Sequence, residues 1–168
     1  MVEIKIDTYQ KVLVKILNFL SYKPRAEREI KVKLNFYLQK EKIPQEEKED
    51  ISQKILFQLK EDGYLNDRRV ADLFVEGFIG TNKSKSIKTL RNSMLKKGFS
   101  RQDVDSSVSR LPVESELSGA LKLAKRKLSN LKETSKFARK SKISNFLYTK
   151  GYSSVTIKAV VDTLLTLQ

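Results

Sequence analysis

The chain contains no cysteine and no histidine. A disulfide framework and thiolate chemistry are therefore excluded. With both residue types missing, zinc sites of the usual kind have no ligands and histidine general-base catalysis has no base. Turn formers are sparse: 6 glycines and 3 prolines in 168 residues argue against a many-turned β architecture and leave room for long helices. Neither G-x-x-x-x-G-K-S/T nor G-x-G-x-x-G occurs, so nucleotide hydrolysis is not expected. Long hydrophobic runs are missing as well. The most apolar stretch, Val12 to Leu20, is broken by Lys15 and Asn18 and is too short and too polar to cross a bilayer. The opening residues lack the basic-then-apolar layout of a signal peptide. These absences predict a soluble cytoplasmic protein with no cofactor, no metal and no catalytic residues.

Apolar residues make up 39% of the chain, enough for a core. The length fits one domain or a short string of small helical modules. The formal net charge is +14, and its distribution is uneven. Residues 1–66 carry 13 Lys/Arg against 11 Asp/Glu, whereas residues 82–142 carry 17 against 5. A field focused on one part of the chain attracts polyanions: nucleic acid, an acidic protein surface or membrane headgroups.

Apolar spacing of three to four residues recurs along the whole chain and predicts nine helices, with no stretch of sustained two-residue alternation that would predict a strand. The first, Tyr9 to Ser21, has Val12, Leu13, Ile16, Leu17 and Leu20 on one stripe and stops at Lys23-Pro24. The second, Ala26 to Lys40, turns Ile30, Leu34, Tyr37 and Leu38 inward. Pro44 begins the third at its first helical position, with Ile51, Ile55, Leu56 and Leu59 inward and Gly63 closing it. Asp67 is the expected cap of the fourth, on Val70, Ala71, Phe74 and Phe78. Ser84 or Ser86 opens the fifth, on Ile87, Leu90 and Met94, with Gly98 at its end. Ser100 and Asp103 form a capping-box-like start for a short sixth on Val104, Val108 and Leu111. The seventh, Glu114 to Leu128, buries Leu117, Ala120, Leu121, Ala124 and Leu128. Thr134 or Ser135 opens the eighth, with Phe137, Ile143, Phe146 and Leu147 inward. Ser153 caps a ninth on Ile157, Val160, Val161, Leu164 and Leu165.

A repeat runs through this series. Lys97-Gly98-Phe99-Ser100 is matched by Lys150-Gly151-Tyr152-Ser153, and the pair Leu90/Met94 by Ile143/Leu147. Lysine suits the negative helix end, glycine takes the left-handed position, the aromatic packs back and serine caps the next helix. Lys40 to Pro44 does the same job more loosely. The pattern predicts an all-α fold of three tandem three-helix repeats: a tail over 1–8, then repeats over 9–62, 63–111 and 112–168. Each triplet is too small to bury a large core alone, so neighbours should stack into an elongated, curved body.

The basic clusters are Lys83/Lys85/Lys88/Arg91, Lys96/Lys97/Arg101, Lys122/Lys125/Arg126 and Lys136/Arg139/Lys140/Lys142. Helix C-termini favour lysine, which accounts for part of Lys96 and Lys97. The 83–91 and 136–142 runs lie near helix starts, where positive charge is unfavourable, so a binding role gains weight there. Glu46, Glu47, Glu49 and Asp50, the densest acidic cluster, suit the first turns of a helix, with a carboxylate metal site as the alternative. Phe99, Phe137 and Tyr148 lie among the cations but all have core readings, so any nucleic-acid contact should be to the backbone rather than to bases.

One segment is more specific than composition. Gly63-Tyr64-Leu65-Asn66-Asp67, followed by Val70-Ala71 and Phe74-Val75, resembles the RecX family hallmark G-Y/F-L-D/N-D … F-A … F/Y-V. Lys23-Pro24-Arg25-Ala26 with Ile30 and Leu34 is similar to that family's R-P-R-S … E-L … K-L element. Leu90 … Met94 … Lys97-Gly98-Phe99-Ser100 and Phe146-Leu147 … Lys150-Gly151-Tyr152 … Ile157 resemble two further elements, all in the family's order. Val70 stands where phenylalanine is usual, and Lys85-Ser86-Ile87 replaces a typical Gly-Pro. The resemblance implies a regulator, not an enzyme, that lodges along the groove of a RecA filament on single-stranded DNA and lowers its strand exchange and ATP hydrolysis; a monomer is expected. The expected contacts to RecA or to the DNA backbone are Lys83, Lys85, Lys88, Arg91, Lys122, Arg126, Arg139 and Lys140. A stand-alone nucleic-acid binder is the alternative. A membrane-surface role ranks third, because each helix needs its apolar face for the core.

Overall fold

The computed structural model of the chain describes residues 7–80, 84–132 and 135–166. Among these described residues there are nine α-helices and no strand. They are α1 (Thr8–Ser21), α2 (Glu27–Leu38), α3 (Gln45–Glu61), α4 (Asp67–Gly80), α5 (Ile87–Lys97), α6 (Arg101–Val108), α7 (Val113–Ser129), α8 (Lys136–Thr149) and α9 (Ser154–Thr166). No helix among them is long and apolar enough to cross a membrane.

The helices pack in serial triplets, α1–α3, α4–α6 and α7–α9, each around its own apolar cluster. Val12, Ile16, Ile30, Leu34, Ile55 and Leu59 centre the first. Ala71, Met94, Phe99 and Val104 centre the second, and Ala120, Ala124, Ile143, Leu147 and Val160 the third. Three small cores in a row leave much surface.

The glycine junctions behave as their spacing predicts. Gly63, Gly98 and Gly151 have φ of 75°, 99° and 85°, the left-handed conformation that a side chain resists. Phe99 and Tyr152, the aromatics that follow, are both buried. Ser100 and Ser153 accept hydrogen bonds from the Asp103 and Thr156 N–H groups at 3.0 and 3.1 Å, each opening the next helix. Ser86, not Ser84, caps α5, accepting from the Thr89 N–H at 3.2 Å.

Several details depart from the sequence pattern. Pro44 is the N-cap of α3 and not its first helical residue, a shift of one position. Asn66, not Asp67, caps α4, accepting from the Arg69 N–H at 2.9 Å. Asp67 is the first helical residue and turns its carboxylate to the Glu27 N–H of α2, 2.7 Å away. Ser135 holds the N-cap position of α8 without a side-chain cap bond, and Thr134 lies outside the described residues. Phe137 is 81% exposed and Tyr148 75% exposed, so neither belongs to the core. On a helix both fall roughly 100° from the stripe of Ile143 and Leu147. Val75 and Leu123 are buried although the periodic pattern did not single them out. The side chain of Leu165 lies outside the described residues.

The joints between triplets repeat one design. The middle helix of one triplet begins against the next triplet, with its N-cap residue (Ala26, then Ser86) fully buried. A carboxylate from the first helix of the next triplet then accepts the first free N–H of that middle helix. Asp67 serves Glu27, and Glu116 serves Ile87 at 2.9 Å. The same helix start lies on the glycine that ends the next middle helix. A Cβ on Gly98 would stand 2.4 Å from Arg28 Cδ, and one on Gly151 2.8 Å from Ser86 Oγ. The glycines thus end one helix and also admit the neighbouring triplet.

Candidate partner-binding clefts

A large concavity sits at the second joint. It is a cleft of about 760 Å³ between α5 and the start of α9. Lys88 and Arg91 line one side, Tyr148 and Val155 the other, and Glu116 and Tyr152 its floor. The floor is structural. Glu116, 6% exposed, accepts from the Ile87 N–H and, at 2.7 Å, from the Thr156 hydroxyl, so one carboxylate ties α5, α7 and α9. Tyr152 is buried, and its hydroxyl has no hydrogen-bond partner among the described residues. Burial, with the nearby Glu116 charge, pushes that hydroxyl up to about 12, so it stays protonated at neutral pH. The walls are open. Lys88 is exposed and makes no ion pair with a described residue. Tyr148 and Val155 (73% exposed) offer apolar surface at the rim.

The sequence-predicted contacts separate in space. Lys85 is exposed and lines a second, smaller cleft of about 350 Å³ with Pro24, Leu73, Phe74 and Phe78. Arg91 lines the larger cleft with Lys88, and its guanidinium pairs with Asp105 of α6 at 2.7 Å. Lys122 and Arg126 stand exposed one turn apart on α7. Arg139 is partly buried and Lys140 exposed on α8, and none of these four lines the clefts described above. Lys83 lies outside the described residues. Tyr148 has a core reading in the sequence, yet its position next to the inward Leu147 places it on the outer face.

A family model described as RecX, third three-helix domain, matches residues 114–161, which span α7, α8 and most of α9. A "Regulatory protein RecX" of Listeria welshimeri is 32% identical over 153 residues, covering 91% of this chain. The chain belongs to the RecX family. The proteins of the same name from Oceanobacillus iheyensis and Clostridioides difficile are each 29% identical, over 93% and 95% of this chain. The chain spans 54% of the first and 70% of the second, so it covers only part of its RecX relatives. The fold agrees. The crystal structure of RecX from Lactobacillus salivarius superposes with a TM-score of 0.79 at 23% identity, covering 96% of this chain and 99% of that one. A second RecX crystal structure gives 0.75 at 26% identity, covering 93% and 74%. The RecX fold is thus the triplet stack described above.

Proposed function

We propose that this chain is a non-enzymatic regulator that binds the RecA filament on single-stranded DNA in the cytoplasm and restrains its strand exchange and ATP hydrolysis. The observation that carries this is the pair of open clefts on either side of α5, with Lys85 lining one and Lys88 the other and no carboxylate paired to either among the described residues. A long, cationic, grooved surface suits an extended acidic partner better than a small molecule. Membership of a family named for regulation supports the same reading.

The test is the ATPase rate of RecA on single-stranded DNA with and without this protein at stoichiometric amounts. The expected result is a lowered rate; an unchanged rate removes the proposal. Charge reversal of Lys85 and Lys88 together should weaken the effect while leaving circular dichroism intact. Arg91 is a poorer probe, because reversing it sets two negative charges together at Asp105. A gel-shift series with naked DNA separates the alternative: steep loss of binding with salt and no need for RecA would mark a stand-alone nucleic-acid binder.

A further inference from the structure

A third concavity, of about 500 Å³, lies across α1, α2 and the end of α5. None of its residues is used in the filament proposal. Its floor is apolar: Phe19 from α1 with Val32 and Phe36, one turn apart on α2. Val32 is 64% and Phe36 48% exposed, high values for large apolar side chains grouped in one hollow. Its rim is cationic, with Arg28, Lys33 and Lys96. The carboxylate there, Glu29, is already engaged. It takes the Lys97 ammonium at 3.0 Å, the Arg25 guanidinium at 3.9 Å and the Ala26 N–H at 3.4 Å. Arg28, Lys33 and Lys96 therefore have no carboxylate partner among the described residues. Arg28 is also held in place, since its stem lies over Gly98.

We infer that this hollow docks a segment of a partner protein in which carboxylates bracket a leucine- or phenylalanine-sized side chain. The apolar group would cover Val32 and Phe36, and the carboxylates would meet Arg28, Lys33 and Lys96. The strip is one helical turn long, which fits the helix-in-groove mode of peptide recognition. Nucleic acid is the weaker fit, because base stacking needs open ring faces. Here Arg25 lies 4.0 Å from the Phe19 ring centre, and Lys40 and Lys33 lie 4.2 and 4.8 Å from that of Phe36. Cations that already cover aromatic faces leave ring edges and Val32 as the available surface.

The probe is a short fluorescein-labelled peptide alternating glutamate pairs with leucine and phenylalanine, read by fluorescence anisotropy against the full chain. Binding is expected. The double variant Lys33→Glu/Lys96→Glu should weaken it about tenfold or more. Phe36→Ser should weaken it comparably while far-UV circular dichroism and melting temperature stay near wild type, since the ring is half exposed. Lys60→Glu/Lys158→Glu, the same charge change at exposed positions outside the hollow, should leave it unchanged. The inference is overturned if the wild-type chain does not bind the peptide, if the same peptide with serine for leucine and phenylalanine binds as tightly, or if the hollow's variants bind like wild type. Binding of oligothymidylate that the same variants abolish, with none of the peptide, would reassign the hollow to nucleic acid. Each of these outcomes is independent of the RecA ATPase result.

Discussion

Glu116 shows how much one side chain can hold. Its two oxygens satisfy an N–H at the start of α5 and a hydroxyl on α9, in a site almost closed to water. Glu116→Ala strands the Ile87 N–H, which should cost about 1–3 kcal/mol in urea unfolding. Glu116→Gln should cost less than the alanine. Its oxygen can keep the Ile87 N–H, and the Thr156 hydroxyl can turn to accept from the new amide while donating to Ser153 Oγ, 2.8 Å away. An alanine variant as stable as wild type would show that the joint does not depend on this carboxylate. The glycines sort by the same reasoning. Gly63→Ala meets nothing within 4 Å and should lose only the left-handed backbone penalty, about 1–2 kcal/mol. Gly98→Ala and Gly151→Ala should lose more, because the added methyl also strikes Arg28 or Ser86 across a joint. Equal melting temperatures for the three variants would contradict this.

At the scale of the helix, a few polar links fasten α4 to α6 beside their apolar contacts. Asp72 of α4 accepts from the Ser107 hydroxyl at 2.6 Å and from Arg110 at 3.1 Å. The Ser107 hydrogen bond, with the Arg110 and Arg68 charges, holds the Asp72 carboxyl below its ordinary value of 3.8. A depressed carboxyl contributes stability above its unfolded value and loses it as pH falls through the folded one. Melting temperature should therefore show an extra decline below pH 3.8 that Asp72→Asn lacks. At neutral pH Asp72→Ala should cost about 1–2 kcal/mol, because it leaves the buried Ser107 hydroxyl without its acceptor. If the acid limbs of Asp72→Asn and wild type coincide, the link is not formed in solution. Asp67 has the opposite sign: burial raises its carboxyl, so its ionised form is the disfavoured one, and the bond to Glu27 offsets that only in part.

Across the whole molecule, helices pack mainly within their own triplet, which predicts an extended body. Small-angle scattering should give a radius of gyration clearly above the roughly 15 Å expected of a compact chain of this length. A value near that figure would mean that the triplets fold back on one another. Three concavities draw on α5: the hollow at α1, α2 and α5, the Lys85 cleft, and the larger cleft at the second joint.

The sequence alone settled the helices and the inward stripes, because helix period, caps and left-handed glycines are local. Leu90, Met94, Ile143 and Leu147 are buried where their spacing put them. It also held the repeat, which two matched junctions spelled out, and the family likeness carried by the Gly63–Val75 segment. Tertiary structure decided the rest. Whether Asp67 caps its own helix or its neighbour's, whether Arg91 finds a carboxylate such as Asp105, and whether Phe36 meets solvent depend on what the next helix brings alongside. Those contacts join residues tens of positions apart, and neither helical period nor net charge encodes them. For the same reason the nearly neutral first triplet concealed most of a cationic hollow, which Lys96 of α5 completes. Its carboxylates and its lysines are balanced in number but not in place, and only packing assigns each carboxylate to the cations it neutralises.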